Sequence, residues 1–476
     1  MLQTATNVVP APLLVETVLN PVVILILGIL LIVLLMMRFE LPAFVALILA
    51  AFGVGIVSPT VAISAVGPEV AETFGDIMAG VGIPILMAAI IGKCLIESGA
   101  ADRIVRGFHS SVGEGREDVT LLGSSYVLSI PVFFDTVFYL LAPIARSMRA
   151  RTGEKMALYT AAIIGGAFAA HALVPPTPGP LAVADELAVD LGIVIGMGLL
   201  IGVPTSIVGG IVYGRWIDSR MTVPLREALG TTAEDLKETT QKPIDELPGI
   251  VESLLPIVLA VVLIAANTIV TTFFPEQADL VAVTEFVGDV NIALSIAAIA
   301  AIWTFFRFRD VETDFGDELT LAVKDGGNII AITAAGGAFG AMLGAAGVGD
   351  FFVNVMEGLG VGPLVTAWLI AAVLIVSTGS LTVAMITSAT IMAPFAGQLD
   401  VHSVYLLLTI GTGSMFFAWH NSSPFWIINE VGGLEHQETL RTFSFVGFVM
   451  SIVGLVLTLV VATAVPQPIE QVTAFL

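Results

Sequence analysis

The sequence predicts an all-α polytopic membrane protein in which two inverted repeats carry re-entrant hairpins and broken transmembrane helices. The first observation is composition: of 476 residues, 57% are hydrophobic and 12% are charged, which leaves too little polar surface to cover a soluble globule. The second is that the apolar residues form continuous stretches of roughly 17 to 25 residues, long enough to cross a ~30 Å hydrocarbon core as helices. These runs do not alternate polar and apolar residues, which argues against a β-barrel. The third is that the second half of the chain repeats motifs of the first.

Hydropathy and charge together predict the topology. Cytoplasmic loops accumulate Lys and Arg, and the basic residues of this chain cluster at Arg38, 103–116, 146–155, 215–242, 307–324 and Arg441. All these clusters fall inside if the apolar segments 119–145 and 363–397 are re-entrant hairpins. The candidate crossings lie near 21–37, 41–57, 79–101, 156–182, 191–213, 250–274, 289–306, 326–352, 401–432 and 442–465. This arrangement predicts a multi-pass protein of the cell membrane with both termini outside.

The first apolar run, 21–37, is interpreted as a retained helix, because residues 1–20 hold no Lys or Arg and do not resemble a signal peptide. The chain has one cysteine, Cys94. A single cysteine excludes an internal disulfide and offers no cluster for a metal, so neither a metal nor another cofactor is expected. Cys94 is expected to serve packing.

The formal net charge is −22. We expect the excess carboxylates mostly in connecting segments, at 69–76, 185–190, 234–246 and 310–318. Acidic, lysine-poor surfaces of this kind are typical of halophilic organisms, and they are interpreted as a hydrated surface and not as a binding site.

An internal repeat divides the chain. GKCLIESGAAD at 92–102 aligns with GAMLGAAGVGD at 340–350, 129–143 aligns with 377–394, and 171–180 aligns with 419–428. Five predicted crossings separate the copies, an odd number, so the second copy is inverted, as in alternating-access carriers. Within it, Gly336, Gly340 and Gly344 form a G-x-x-x-G ladder that favours close helix packing. The predicted domains are N-terminal helices at 1–78, a first repeat core at 79–214, a cytoplasmic linker at 215–250, connecting helices at 251–325 and a second repeat core at 326–476.

Polar and helix-breaking residues inside these apolar spans indicate a site, since they are tolerated mainly where they line a cavity or are buried in protein. A helix that breaks inside the membrane presents unpaired N–H groups that suit an anion, and hydroxyls and amides there suit a polyol chain. The breaks lie at equivalent places in the two halves. The candidate substrate-binding residues are Ser129, Pro131, His171, Thr177, Thr378, Gly379, Ser380, Thr382, Asn421, Ser422 and Ser423.

Three titratable residues are candidates for ion coupling: Asp135, His171 and His420. An acid at membrane depth suggests proton or cation coupling. A structural cap, or a pair with Lys93, is the equal alternative for Asp135, and a neutral histidine bonded within the fold is the alternative for both histidines. Lys93 and Glu97, four residues apart, are expected to form a structural pair.

At these residues the chain resembles the gluconate permease family of proton symporters, part of the wider ion-transporter superfamily of inverted-repeat carriers. The resemblance covers nearly the whole chain. Its motifs are GGAFGAMLGAAGVG at 336–349, TGSLTVAMIT at 378–387, HALVPPTPGP at 171–180, VFFDTVF at 132–138 and NSSPFW at 421–426. It implies uptake of gluconate or a similar small sugar acid, with a proton as the driving ion.

The chain departs from the family pattern at titratable positions. Ser422 stands where the family usually has Asp, Pro424 where it has Gly, and Thr177 and Trp419 where it has His. Sodium coupling, and another hydroxy acid such as glycerate or a ketosugar acid, therefore stay open.

The sequence disfavours other classes of protein. It contains no H-E-x-x-H, G-x-S-x-G or G-x-x-x-x-G-K-[ST] motif, so we expect neither an enzyme nor an ATP-driven pump. A passive anion channel stays open, because broken helices also build selectivity filters. The expected partners are an organic acid substrate, a coupling proton or sodium ion and the lipid bilayer. A homo-oligomer is compatible with the sequence, and nucleic acid is not expected.

Overall fold

The computed structural model describes residues 20–113, 115–226, 243–309, 314–358 and 360–467, and these residues form helices and connecting segments without a strand. Seven helices among the described residues are long and apolar enough to cross a membrane. The helices are α1 Pro21–Met37, α2 Ala43–Val57, α3 Ile63–Glu97, α4 Ala100–Val112, α5 Glu117–Leu128, α6 Phe134–Thr152, α7 Met156–Leu173, α8 Pro178–Glu186, α9 Leu191–Ser206, α10 Gly214–Asp218, α11 Ile250–Phe273, α12 Ala278–Gly288, α13 Val290–Phe308, α14 Phe315–Ala345, α15 Val348–Gly358, α16 Pro363–Thr378, α17 Leu381–Ala396, α18 Val404–Ser414, α19 Ser423–Gly432, α20 His436–Thr439 and α21 Phe445–Ala464.

π-Helical turns connect some of these helices into longer spans. Ile207–Tyr213 joins α9 to α10, and Leu440–Ser444 joins α20 to α21. The resulting continuous elements run Leu191–Asp218 and His436–Ala464. A short 3₁₀ turn, Ile244–Glu246, precedes α11.

The two predicted hairpins and two of the predicted crossings are interrupted where the sequence places helix-breaking residues. α5 and α6 are separated at 129–133, α7 and α8 at 174–177, α16 and α17 at 379–380, and α18 and α19 at 415–422. Proline ends or begins several of these segments because it lacks an N–H donor: Pro178 opens α8 and Pro424 lies in the first turn of α19. These interruptions confirm the prediction of broken helices.

The central element is α7. The most apolar window of the stretch Met156–Glu186, which contains α7 and α8, is fully buried. α5 and α6 pack against α7, and α8 packs against α17 and α18. The broken helices therefore lie inside the protein, where other helices satisfy their freed backbone groups.

Helices α14 and α17 pack closely through small residues. A Cβ added at Gly340 would lie 2.9 Å from Cα of Thr387, so the backbones approach each other as predicted for the glycine ladder. Thr387 Oγ1 donates a hydrogen bond to the carbonyl of Gly336 at 2.8 Å. Gly344 has nothing within 4 Å of the equivalent position, so the ladder works at two of its three glycines.

The two halves share an order of elements. A long helix ends just before a glycine with positive φ, Gly99 at +76° and Gly347 at +78°, and a shorter helix follows. In each half the next elements are an interrupted helix pair, then an interrupted span. The positions of the two glycines match the predicted alignment of the repeat.

Several carboxylates lie in helices and not in connecting segments, contrary to prediction. Residues 69–76 are part of α3, whose Val66 and Val70 are buried while Glu72 and Asp76 are exposed, so the acids form one face of an amphipathic helix. Asp314 caps α14 by accepting hydrogen bonds from the N–H groups of Gly316 and Asp317, where negative charge is stabilised by the helix dipole. Residues 234–242 and 310–313 lie outside the described residues.

Other differences concern helix bounds. The predicted crossings at 79–101 and 326–352 begin earlier, in the longer helices α3 and α14. α4 and α12 were not predicted, because amphipathic or short helices lack the long apolar run on which the prediction depends. Cys94 is buried, as expected.

Candidate functional site

The four interruptions surround a cavity of about 320 Å³. Nine of the sequence-predicted site residues line it, from both halves of the chain: Asp135, His171, Thr378, Gly379, Ser380, Thr382, Asn421, Ser422 and Ser423. The cavity therefore brings together residues that are up to 288 positions apart, as in the pair Asp135 and Ser423.

The first turns of four helices line the cavity. They belong to α6 with N-cap Phe133, α8 with N-cap Thr177, α17 with N-cap Ser380 and α19 with N-cap Ser422. The first N–H groups of a helix have no partner within the helix, and they carry the positive end of its dipole. Four such ends line one cavity, and helix N-termini in general favour anions.

Asp135 is the acidic residue of this site. It is the second residue of α6, and Ser423 Oγ donates a hydrogen bond of 3.4 Å to its Oδ2. Its Oδ1 is buried and has no hydrogen-bond partner. The carboxylate therefore joins α6 of the first half to α19 of the second half and keeps one oxygen free to bind a proton or cation.

Lys93 does not pair with Asp135. Its Nζ lies 2.9 Å from Glu97 and 2.6 Å from Glu318. This confirms the predicted pair of Lys93 with Glu97 and extends it to a carboxylate on α14. Of the two alternatives for Asp135 that the sequence left open, pairing with Lys93 is not found among the described residues.

Asn421 connects the interruption before α19 to the hairpin of α16 and α17. Its Nδ2 donates to the carbonyls of Val376 at 2.9 Å and Ser377 at 3.0 Å, and its buried Oδ1 has no partner. The backbone carbonyl of Asn421 lies against Gly379, where an added Cβ would be only 2.2 Å from that oxygen. Gly379 also has a φ of +69°. The lack of space for a side chain and the left-handed backbone both favour glycine at this position.

The hydroxyl groups of the site differ in how they are bonded. Thr378 Oγ1 donates to the carbonyl of Leu374 at 2.8 Å, and Ser380 Oγ accepts from the N–H of Val383 at 3.4 Å. Thr382 and Ser422 line the cavity beside them. An oxygen that uses its proton within the helix retains lone pairs, so this wall can accept hydrogen bonds from a polyol.

Four candidates from the sequence do not line the cavity. Ser129 is fully buried at the end of α5, and its Oγ has no hydrogen-bond partner among the described residues. Thr177 Oγ1 donates to the carbonyl of Val174 at 2.6 Å, because a residue at a helix end can bond to local backbone groups. Pro131 lines a separate cavity of about 40 Å³ together with Lys93. His420 stacks on the ring of His436 with centroids 4.6 Å apart.

Two polar residues of α14 that are not among the predicted site residues also line the cavity. Asn328 and Thr333 line the cavity, and Thr333 Oγ1 is buried without a hydrogen-bond partner. A signal was available, because Asn328 is an amide within a predicted crossing, which is costly in lipid. The aromatic residues Phe133 and Phe134 also line the cavity, but nothing in the sequence distinguishes them from other apolar residues.

Among the described residues, an all-helical arrangement with several helices able to cross a membrane, whose interruptions meet at one cavity, is typical of a membrane transporter. The family described as GntP family permease matches residues 20–465. This chain belongs to that family.

Known proteins of similar sequence are transporters. The chain is 30% identical to a gluconate permease of Pseudomonas aeruginosa, with 90% of this chain and 95% of the relative covered. It is 30% identical to the high-affinity gluconate transporter of Escherichia coli K12, with 92% and 98% covered. It is 29% identical to the D-serine transporter DsdX of E. coli K12, with 90% and 96% covered.

One solved structure has a similar fold. The YdaH transporter of Alcanivorax borkumensis, described as having an unusual topology, matches with a TM-score of 0.55 at 12% identity, covering 92% of this chain and 99% of that one. At this identity the likeness concerns the fold alone.

Proposed function

We propose that this protein is a secondary active transporter, a symporter that imports gluconate or a related small hydroxy acid, driven by a proton gradient. The observation that carries the proposal is the cavity lined by the first turns of four helices, because it suits a carboxylate beside hydroxyl-bearing walls. Its volume of about 320 Å³ lies within the range of small-molecule sites. The names of the relatives support the same substrate class, since gluconate and serine both carry a carboxylate and at least one hydroxyl group.

The lining residues divide into two roles. The substrate carboxylate lies against the first turns of α17 and α19, and its hydroxyl groups bond to Thr382, Ser422 and Oδ1 of Asn421. Asp135 and His171 take the coupling proton, because they are the titratable side chains among the residues that line the cavity. His420 lies outside the lining, so the coupling role proposed for it from the sequence passes to these two.

The halves are proposed to be inverted repeats that form the predicted cores at 79–214 and 326–476, with both termini outside. The matching glycines Gly99 and Gly347 and the matching order of helices support this arrangement. In such carriers each half closes one side of the central site, so that the substrate is exposed to one side at a time.

The decisive experiment measures uptake of labelled gluconate into proteoliposomes under a proton gradient, a sodium gradient or no gradient. We expect accumulation with the proton gradient alone and its collapse with a protonophore. Accumulation with the sodium gradient alone would show that sodium, and not a proton, is the coupling ion. Equilibration without accumulation under every gradient would identify a channel.

The same assay tests Asp135. Asp135→Asn removes the only acid that lines the cavity in the described part of the chain, so we expect proton-driven accumulation to fall about tenfold or more while exchange of labelled for unlabelled substrate continues. Asp76→Asn is the matched control, because Asp76 is an exposed acid of α3 outside the cavity. Equal loss in both variants, or full accumulation by Asp135→Asn, contradicts the coupling role.

A further inference from the structure

We propose that the segment 221–226 is a clamp that holds α6 and α19 together at the ends remote from the cavity, and that Arg226 is thereby a positioning residue for the site. The inference rests on the proposed function, because α6 and α19 supply Asp135 and Ser423 to the candidate site. It assigns a role to charged residues outside the cavity that the transport proposal does not use.

The first part of the clamp is the guanidinium of Arg226. Its Nη1 donates to Glu438 Oε2 at 2.7 Å and to the carbonyl of Gly433 at 3.1 Å, and its Nη2 donates to Glu438 Oε1 at 3.1 Å and Glu435 Oε1 at 3.0 Å. Each of the two nitrogens thus bonds to a different oxygen of Glu438. This is the bidentate geometry that makes such pairs strong and directional. The hydrogen bond from Arg226 to Glu438 raises the pKa of the guanidinium.

The second part of the clamp comes from α6. The side chain of Arg146 is 2% exposed, and it donates from Nη2 to the carbonyl of Arg226 at 2.6 Å and from Nη1 to the carbonyl of Val431 at 3.3 Å. Arg149 donates to the carbonyl of Val223 at 3.4 Å. Val431 lies in the last turn of α19, whose carbonyls have no partner within the helix, and cations are stabilising there.

The opposite ends of the same two helices meet at the cavity. Asp135 and Ser423 share a hydrogen bond of 3.4 Å, and Arg146 lies eleven residues beyond Asp135, about 17 Å along α6. α6 and α19 are therefore joined at both ends. Releasing the remote end would let the two helices pivot about the hydrogen bond at the site.

The clamp also reaches the site by a second route. Glu435 and Glu438 form the capping box of α20, in which the N–H of Glu435 donates to Glu438 Oε2 at 2.7 Å. His436, between them, stacks on His420 with an interplanar angle of 16°. His420 directly precedes Asn421, so a fixed α20 also orients the interruption that presents Asn421.

The cluster is more than an exposed ion pair. An exposed pair contributes little because solvent screens it, but the side chain of Glu438 is only 12% exposed. The clamp also includes four backbone carbonyls, those of Val223, Arg226, Val431 and Gly433. The pair of Arg307 with Glu252, at 2.9 Å, provides the contrast, since it joins α11 and α13 away from the cavity.

The test compares Arg226→Gln with Arg307→Gln by hydrogen exchange of the full-length protein in nanodiscs without substrate. We expect Arg226→Gln to speed amide exchange about tenfold in the second turns of α6 and α19, whose N–H groups bond within the helix, and Arg307→Gln to leave both unchanged. Arg226→Lys should give an intermediate increase, because an ammonium cannot form the bidentate contact. If exchange rises in 221–226 alone and in neither second turn, the proposal is wrong.

Two further measurements complete the test. In proteoliposomes Arg226→Gln should raise the KM for labelled gluconate more than it lowers the maximal rate, because the binding residues are displaced and not removed. If Arg226→Gln does not fold, Glu438→Gln, which removes the charge of the bidentate partner, is measured the same way, and unchanged exchange there overturns the proposal. Because exchange needs no substrate, failure of the gluconate proposal leaves the clamp result intact.

Discussion

Thr382 shows what a single residue contributes to the site. It lies in the first turn of α17 and lines the cavity, whereas Thr390 of the same helix donates its hydroxyl to the carbonyl of Ile386 at 3.0 Å and lies outside the lining. The two residues have the same side chain on the same helix. Their substitution therefore separates a contact with substrate from a general effect of losing a hydroxyl.

We expect Thr382→Val to raise the KM for the transported acid about five- to tenfold, the effect of losing one hydrogen bond of about 1 kcal/mol. Thr390→Val should change the KM less than twofold. The measurement is initial uptake against substrate concentration, normalised to protein in the membrane. An equal increase in both variants would remove Thr382 from the site.

The sequence predicted most of the polar residues that line the cavity, but it did not predict which neighbouring polar residues lie outside the lining. A polar residue inside an apolar run is costly in lipid wherever it lies, so Thr378, Asn421 and Asp135 could be identified without a structure. Ser129 and Thr177 carry the same signal, yet Ser129 is buried at the end of α5 and Thr177 donates to a backbone carbonyl, so neither lines the cavity. The direction in which a side chain points depends on how its helix is rotated about its axis, and composition does not determine that rotation.

The hairpin of α16 and α17 is the element that depends most on one backbone geometry. Gly379 ends α16 with φ of +69°, and the carbonyl of Asn421 occupies the space where a side chain would begin. A left-handed conformation costs about 1–2 kcal/mol for other residues, and the contact with Asn421 adds to this. The hairpin and the interruption before α19 therefore fit together only with glycine here.

Gly379→Ala should accordingly lower the melting temperature of the purified protein by roughly 2–4 °C or more and abolish uptake. Gly397→Ala is the matched control, because Gly397 follows the same helix α17 with φ of −72° and nothing within 4 Å of an added Cβ. The control should keep its melting temperature and its uptake. A Gly379→Ala protein that transports normally would show that this contact is dispensable.

At the element scale, long apolar helices and their interruptions followed from hydropathy and from the positions of proline and glycine. Helix α4 did not follow from hydropathy, because its alternating basic and apolar residues predict a cytoplasmic loop. The acids at 69–76 are predicted to lie in a connecting segment for the same reason. Charged residues on one face of a helix and charged residues in a loop look alike in composition. An amphipathic helix is recognised by which face its partners cover, and those partners are distant in sequence.

The whole-molecule question is whether the two halves have opposite orientations. The turn that follows α4 and the turn that follows α15 occupy equivalent places before the interrupted helix pairs of the two halves. Ser111, in the last turn of α4, and Gly362, just before α16, are exposed beside these turns. Cys94 is buried, so the unmodified protein should give little background with a thiol reagent.

Ser111→Cys and Gly362→Cys should therefore react with a membrane-impermeant thiol reagent from opposite sides of the membrane, Ser111→Cys from inside and Gly362→Cys from outside. The measurement compares labelling in intact cells and in inverted vesicles. Labelling of both from the same side would mean that the repeats are parallel and that the proposed positions of the termini must be revised.

The sequence by itself determined that this protein is a helical membrane protein, because hydropathy and helix breaks are local properties of the chain, and its motifs identified the permease family to which it belongs. It also located most of the polar residues that line the cavity. Only the tertiary structure decided that four helix N-termini meet there, that His420 stacks on His436 outside the lining, and that Arg146 and Arg226 join α6 to α19. The meeting of the helix N-termini and the joining of α6 to α19 depend on the packing of helices that are more than two hundred residues apart, and no local pattern records which faces meet.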